Sequence, residues 1–410
     1  MSDDVTDKIA DISRAVDEGE TIALMEPLLV RESGMHRDKL ADLALELTEH
    51  STRLKTALPA EVADALSNLV RSMNCYYSNL IEGHNTHPID IERALNDDYS
   101  DDPKKRDLQL EAKAHIEVQR WIDEGGLVGR ASSQDGILET HRRFCESLPE
   151  ELLWVENPDT GERVRVVPGE LRQQYVQVGR HIPVSPGALP RFLGHFEKSL
   201  RNLGRVDQII ASATAHQRLL WLHPFLDGNG RVARLMSYSL LRDALDTGGI
   251  WSVARGLARS EGDYKKFLAS ADQARRSDLD GRGNLSENAL AEFATYFLQT
   301  CIDQVKFMGD LIEPGKLKTR IMIWAEEEIR MDALPAHSNT ILEAVLYRGE
   351  LPKGEVATLL RTSDRNARRI TSALVERGVL TSSSTRAPFR IAFPATLAER
   401  WMPGLFPDKK

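Results

Sequence analysis

Apolar residues recur every three to four positions through nine stretches of this chain: 38–48, 60–80, 108–123, 136–146, 187–203, 206–221, 231–245, 262–275 and 286–309. That spacing lines one face of an α-helix. Period-two alternation, the mark of a half-buried strand, is confined to 162–186, around "YVQVG", and to 383–393. The pattern predicts a mainly α chain with a small β-hairpin inside a helical core and a second short hairpin near the C-terminus. A length of 410 residues allows two or three domains.

Charge and cysteine usage narrow the class. A formal net charge of −9 argues against a chain that coats nucleic acid over its whole surface, and leaves room for a local basic face. Cys75, Cys145 and Cys301 are far apart and form no CxxC or Cys/His cluster, which points away from zinc or disulfides and toward a reducing compartment. The opening "MSDDVTDKIADISRAVDEGE" is acidic and lacks an apolar stretch. Nor does any apolar run reach the roughly 18 residues that span a bilayer. The expectation is a cytoplasmic protein with no membrane partner.

"IEPGKLK" (312–318) interrupts a long helix with Pro and Gly and marks a boundary. The expected organisation is an N-terminal helical region over 1–70, a central domain over 71–311 and a C-terminal module over 316–410.

The densest chemistry lies in "LHPFLDGNGRVARLM" (222–236). The residue before Pro224 is pushed away from helix, so the preceding helix stops near His223. A glycine-rich turn feeding a helix N-terminus leaves backbone N–H groups facing outward, a nest suited to phosphate. Arg231 and Arg234 sit where the macrodipole disfavours a cation, unless an anion belongs beside them. Asp227 has the chemistry to hold a divalent cation bridging two phosphates, and His223 that of a general base on an incoming hydroxyl. Taken singly, these residues also read as a helix cap, a core histidine and surface arginines. Their coincidence within a dozen positions points to a polyphosphate.

"HPFLDGNGRVAR" resembles the signature of the Fic family, HPFx[D/E]GNGRxxR, at every signature position. The resemblance extends over roughly 75–305. It implies a Fic-type helical core with a hairpin flap. It also implies protein adenylyltransferase activity (a nucleotidyltransferase, EC 2.7.7.-), with ATP and Mg²⁺ required and AMP passed to a Tyr, Thr or Ser hydroxyl of a protein substrate. His223 would take the hydroxyl proton and Asp227 would bind Mg²⁺. Gly228, Asn229 and Gly230 would hold the α- and β-phosphates through their amides, Arg231 and Arg234 would take the outer phosphates, and Phe225 would pack the loop on the core. Gly230 stands where phosphorylating Doc-like relatives carry Lys, which favours adenylylation. A homodimer is a family-level expectation.

"YYSNLIEGHNT" (76–86) sets Glu82 just before Gly83 at an expected helix C-terminus, where the dipole disfavours an acid. Ser78, Glu82 and Gly83 match the family's inhibitory pattern [S/T]xxxE[G/N], on a helix near 72–83. The resemblance implies autoinhibition: Glu82 pairs with Arg234 and displaces the γ-phosphate. An ordinary solvated glutamate is the alternative. The same Glu in some relatives positions water to remove AMP, so a deAMPylating phosphodiesterase is a second reading.

"RQQYVQVGRHIP" (172–183) resembles the family's target-docking flap, with Val176, Gln177 and Val178 beside the target segment. A packed structural hairpin is the alternative, and "LLWVENPDTGERVRVV" before it leaves the flap's border open. "EGDYKKFLASADQ" resembles the adenine-side segment through Tyr264 and Asp272. The alternatives there are core packing for Tyr264 and solvent exposure for Asp272. Two lures fail. "DLDGRGNLSE" has Asp278, Asp280 and Gly283 at calcium-loop positions, but Arg282 and Ala289 stand where oxygen ligands belong. His216 lies seven residues from His223 with no third ligand, and reads as a core histidine.

Beyond the boundary, "NTILEAVLYRG", "PKGEVATLL" and "SDRNARRITSALVERGVL" read as three helices, followed by the hairpin at 383–393, the order of a winged helix-turn-helix. Over 351–390, eight basic residues face three acidic ones, a net +5. Arg365, Asn366 and Arg369 are the candidates for DNA contact, with Ile370, Leu374 and Val375 toward the core. A protein contact is the alternative use of such a module. A third reading of the whole chain follows: a DNA-binding regulator whose Fic domain senses nucleotide or modifies itself.

Overall fold

The computed structural model describes residues 15–31, 34, 36–156, 161–245 and 249–407. Helices dominate. In chain order they are α1 (Arg37–Lys55), α2 (Ala60–Ile81), α3 (Pro88–Leu95), α4 (Pro103–Asp123) and α5 (Gln134–Glu146). A hairpin of β1 (Trp154–Glu156) and β2 (Arg163–Arg165) follows. Next come α6 (Leu189–Ser199), α7 (Arg205–Leu222), α8 (Asn229–Leu245), α9 (Ala254–Arg259), α10 (Glu261–Ala271) and α11 (Glu287–Leu311). The last stretch runs α12 (Pro314–Arg330), α13 (Ser338–Arg348), β3 (Glu350–Leu351), α14 (Val356–Leu359), α15 (Asp364–Glu376), β4 (Leu380–Thr381), β5 (Phe389–Ile391) and α16 (Ala398–Trp401).

The chain divides into two compact units. The first takes the described residues through Leu45, Glu117–Ala244 and Ser260–Gln299; the second takes Glu46–Ile116, Leu245–Arg259 and the chain from Thr300 on.

In the first unit α7 is buried along almost its whole length. Its His216 is fully buried and meets the Phe297 ring at 5.3 Å. Within the expected N-terminal helical region, α1 and the first part of α2 are helices, and the described residues before α1 hold one 3-10 turn, Ile22–Met25. Their acids are engaged with loop and helix partners: Asp17 pairs with Arg191, and Glu20 accepts from the Ser185 hydroxyl at 2.7 Å. Residues 1–14 of the expected helical region lie outside the described residues. "YVQVG" is not a strand. It contributes one bridge, Val178 to His181, whereas the preceding stretch forms the ladder, with Val155 opposite Val164.

In the second unit α2 packs on α9, α3 and β5. Its C-terminus has the expected shape: Gly83 lies at φ +85°, its N–H donates to the Leu80 carbonyl, and that of His84 to the Asn79 carbonyl at 2.9 Å. This double closure is a Schellman cap. The C-terminal chain clasps the same helix: the Tyr77 hydroxyl donates to the Leu405 carbonyl at 3.2 Å, and Phe406 meets the Tyr76 ring at 5.9 Å. Pro314 opens α12, a helix the charged sequence hid, and Trp324 on it packs edge-on against Trp401 at 5.1 Å. After α13 the strands form one antiparallel sheet in the order β3-β5-β4, with Leu351 opposite Phe389 and Leu380 opposite Ile391. Ile370 and Leu374 on α15 are buried, but Val375 is 45% exposed, a correction to the expected core set. It sits one residue past Leu374, about 100° around the helix from the buried stripe.

Candidate active site

The first unit builds its site at the junction of α7 and α8. His223 ends α7 in the left-handed conformation, φ 47° and ψ 62°, with its N–H closing the helix on the Leu219 carbonyl at 3.0 Å. A non-glycine residue there costs roughly 1–2 kcal/mol and persists only where surrounding contacts fix it. Those contacts come from Arg172. Its guanidinium is 3% exposed and donates through Nε to the His223 carbonyl at 2.8 Å. The Arg172 backbone N–H donates to the Pro224 carbonyl at 2.9 Å.

The loop from Phe225 to Gly228 is closed by a side chain. Asn229 Oδ1 accepts from the Phe225 N–H at 2.9 Å, and Asn229 Nδ2 donates to the Phe225 carbonyl at 2.8 Å. Phe225 is fully buried, as expected of a residue that packs the loop on the core, and its ring stacks flat on His141. Gly228 takes φ +81° and its carbonyl accepts the first bond of α8, from Val232 at 3.0 Å. Helix geometry then leaves the N–H groups of Asn229, Gly230 and Arg231 without intrahelical acceptors, at the positive end of the dipole. Asp227 is exposed beside that end. The arginines are not surface residues: Arg231 is 5% exposed with its guanidinium 5.2 Å from the Phe144 ring centre, and Arg234 is 4% exposed.

His141 supports the loop from below through its stack on Phe225, and other buried groups lie along α5 and α7. His141 accepts from the Gly169 N–H through Nδ1 at 2.9 Å, and its Nε2 lies 3.4 Å from Cys145 Sγ. Burial pulls the His141 pKa down to about 4 against a weaker pull from the Asp227 backbone, and pushes the Cys145 thiol up to about 12. His216, the expected core histidine, lies between Ser237 Oγ at 2.8 Å and the Tyr264 hydroxyl at 2.6 Å. Its pKa falls to about 3, mainly through burial and further through Arg234. Tyr264, expected near the adenine, is therefore a 2% exposed core residue with its hydroxyl on His216. Asp272 is half-buried and accepts from the Gln217 amide at 2.7 Å. Burial raises its pKa.

The flap and His223 share a cleft of about 510 Å³, lined by Tyr175, Val176, Gln177, Ile182, Leu226 and the β1–β2 hairpin. Val176 is half-buried in it, and Gln177 and Val178 are exposed. Asp280, one of the calcium-loop lures, caps α11 instead, accepting from the Asn288 N–H and the Ser286 hydroxyl, each at 2.9 Å. In the second unit Ser78 is fully buried on α2, while Glu82 at the helix cap and Gly83 after it are exposed. Arg365 and Arg369 are exposed on α15, with Arg369 hydrogen-bonded to Asn366 Oδ1 at 3.2 Å. His141 and Arg172 carry much of the site and no local signal marks them. His141 sits on an ordinary amphipathic helix, and Arg172 is one cation in a polar stretch.

Comparison with known proteins agrees on the region. Residues 132–241 match the family model described as Fic/DOC family. The chain is 29% identical over 224 residues to a protein adenylyltransferase Fic of Drosophila willistoni, covering 52% of this chain and 42% of that protein. It is 41% identical over 110 residues to the protein of that name from Drosophila erecta, covering 26% and 19%. It thus spans less than half the length of these curated relatives. Among solved structures, a Fic family protein from Desulfovibrio desulfuricans G20 aligns with a TM-score of 0.50 and 18% identity, over 86% of this chain and 95% of that one. At that identity the likeness speaks for the mainly helical fold.

Proposed function

Because residues 132–241 match the Fic/DOC family model, we propose that this chain is a protein adenylyltransferase that moves AMP from ATP to a hydroxyl of a protein substrate. What supports the reading most is one arrangement. A histidine held left-handed at the end of α7 faces the flap's cleft, and the α8 N-terminus begins only six residues later. His223 accepts the proton of the target hydroxyl. The hydroxyl oxygen bonds the α-phosphorus as the bond to the bridging oxygen breaks, and pyrophosphate leaves. The amides of Gly228, Asn229 and Gly230 hold the α- and β-phosphates, and Arg231 and Arg234 neutralise the outer charge. An exposed carboxylate beside a helix N-terminus is a fitting donor for Mg²⁺, so Asp227 would hold it, and the ion would supply charge neutralisation on the phosphates. Tyr264 backs the nucleotide side from the core through His216. Val176, Gln177 and Val178 offer the exposed flap edge to an extended target segment. The work is positioning and charge stabilisation, as in phosphoryl transfer generally.

Glu82 is the brake in this reading: its carboxylate competes with the ATP γ-phosphate for Arg234, while buried Ser78 and the Gly83 cap set the helix end. Incubation with α-labelled ATP, Mg²⁺ and cell lysate tests both parts. Label transfer is expected to rise in Glu82→Gly and vanish in His223→Ala. Equal labelling by wild type and Glu82→Gly removes the brake, and labelling by His223→Ala removes the mechanism. If Glu82 instead serves deAMPylation, a labelled target loses AMP with the wild type and keeps it with Glu82→Gly.

The C-terminal part carries a second reading. The order α13-β3-α14-α15-β4-β5 supports reading it as a winged helix-turn-helix. Arg365, Arg368 and Arg369 are exposed on its third helix and Arg386 on the connection between β4 and β5, where Lys353 braces the loop by donating to the Ser384 carbonyl at 2.8 Å. This basic face suits the phosphate backbone of duplex DNA, with Asn366 beside it.

A further inference from the structure

The base of the flap turns on one buried cation. Arg172 donates through Nη1 to the Gln174 carbonyl at 2.8 Å, on the flap's entering leg, and through Nη2 to the Val184 carbonyl at 2.6 Å, on its leaving leg. Nε reaches the His223 carbonyl at 2.8 Å, and the Arg172 N–H reaches the Pro224 carbonyl at 2.9 Å. Each guanidinium nitrogen thus meets a different strand of backbone. Its hydrogen-bond acceptors are neutral carbonyls, and the nearest carboxylate influence, from Glu20, belongs to a group already bonded to Ser185. A buried cation that serves only to stabilise the fold is an expensive choice, because apolar residues of the same volume do as well or better. What the planar fork supplies, and a hydrophobic side chain does not, is a fixed geometry among three carbonyls.

We infer that Arg172 is a positioning residue that sets the distance between the docked target segment and the His223 imidazole. This rests on reading His223 as the base. Gln174 and Val184 fix where the flap edge at Val176–Val178 presents a hydroxyl. The bond to His223 holds the left-handed turn that aims its ring. The same fork makes both connections, so flap and base move as one piece. The phosphate loop is held separately, by Asn229 on Phe225 and by Phe225 on His141.

That separation gives the test its signature. In the full-length chain with Glu82→Gly, Arg172→Met keeps the volume and removes every side-chain donor, and Arg172→Lys keeps the charge and loses the fork. Both are expected to bind Mg²⁺ and a non-hydrolysable ATP analogue within about twofold of the parent. AMP transfer is expected to fall at least tenfold in kcat for Met, with Lys giving little rescue, since misplacing a reacting group by about 1 Å can cost on the order of 100-fold. A parent-like kcat in Arg172→Met, full rescue by Lys, or a parallel loss of nucleotide affinity overturns the inference. If the Glu82→Gly parent itself transfers no AMP, the enzymatic reading has failed instead. The positional claim is then read by imidazole NMR of His223 and amide exchange across 174–184. Both must change in Arg172→Met, and unchanged spectra and exchange sink it.

Discussion

The imidazole of His141 lies on the ring of Phe225 with centroids 3.8 Å apart and planes 2° from parallel. One ring sits on α5, the other in the loop between α7 and α8, so this stack sets the height of the loop above the core. A Cβ on Gly228 would meet the same imidazole at 3.4 Å.

Removing half of that stack tests the support. Phe225 is fully buried, and Phe→Ala in a core costs about 3–5 kcal/mol. Phe225→Ala is expected to lose that much by urea unfolding. Phe225→Leu is expected to lose clearly less and to weaken Mg²⁺–ATP binding measurably, because leucine fills part of the volume without the flat contact. A Leu variant with parent-like nucleotide affinity would show that the stack does not set the loop.

Acid should act through the same histidine. His141 and His216 are held near pKa 4 and 3 in the fold, below the ordinary 6.5, both chiefly by burial. Between those limits the unfolded chain binds the proton and the folded chain does not. The stabilisation is complete above pH 6.5 and is lost as pH falls, at about 1.4 kcal/mol per pH unit for each group. His141→Gln is expected to be less stable at pH 7, yet to show a pH dependence of unfolding free energy between 6.5 and 4 shallower by about one proton. An unchanged slope would place the titration elsewhere.

How much of this was legible in the sequence depended on distance along the chain. The α7–α8 junction was readable because His223, Pro224, Gly228 and Asn229 act on their own neighbours, and the turn and helix start follow from local chemistry. The Gly83 cap was readable for the same reason. His141 and Arg172 were not, because what they hold arrives from far along the chain: Phe225 for one, Val184 and His223 for the other. "YVQVG" misled because alternation makes a strand only where a partner strand supplies a ladder, and this stretch forms one bridge, Val178 to His181, while Gln174 to Gln177 all line the cleft. For Tyr264 the sequence left adenine contact and core packing both open, and periodicity alone could not pair its hydroxyl with the buried His216.

The end of α2 offers a way to loosen the candidate brake without a clash. Gly83 has φ +85°, and a Cβ there would find nothing within 4 Å. Gly83→Ala is expected to cost about 1 kcal/mol through the left-handed backbone alone, and Gly83→Asn less. If Glu82 restrains AMP transfer from a fixed helix end, Gly83→Ala raises labelling above wild type, with Asn between. Labelling that stays at the wild-type level while stability falls would separate the cap from the brake.

The basic face of α15 should reveal itself by salt. Each phosphate contact contributes a slope of about −0.9 in log K against log [salt]. Fluorescence anisotropy of the full chain on a labelled duplex is expected to show binding that weakens steeply from about 50 to about 200 mM salt. The double variant Arg365→Glu, Arg369→Glu is expected to bind at least tenfold more weakly, with a shallower slope. Absence of binding at low salt would return this face to protein contacts.

Asn229 gives the sharpest separation of folding from nucleotide binding. Its amide both accepts from and donates to the backbone of Phe225, and the residue is 5% exposed. Asn229→Asp keeps the acceptor and loses the donor; Asn229→Ala loses both and leaves two buried backbone groups unpaired. An unpaired buried group costs about 1–3 kcal/mol, so Ala should destabilise more than the loss of a single bond would. Asp is expected to be the milder folding defect, since one bond survives, yet the more severe binding defect. Its negative charge sits at the helix N-terminus, where it competes with phosphate for the same amides. Measured together by urea unfolding and by titration with Mg²⁺ and the ATP analogue, the two variants should therefore rank in opposite orders. The same order in both measurements would mean that Asn229 supports only the loop, and that the α8 N-terminus is not where the phosphates bind.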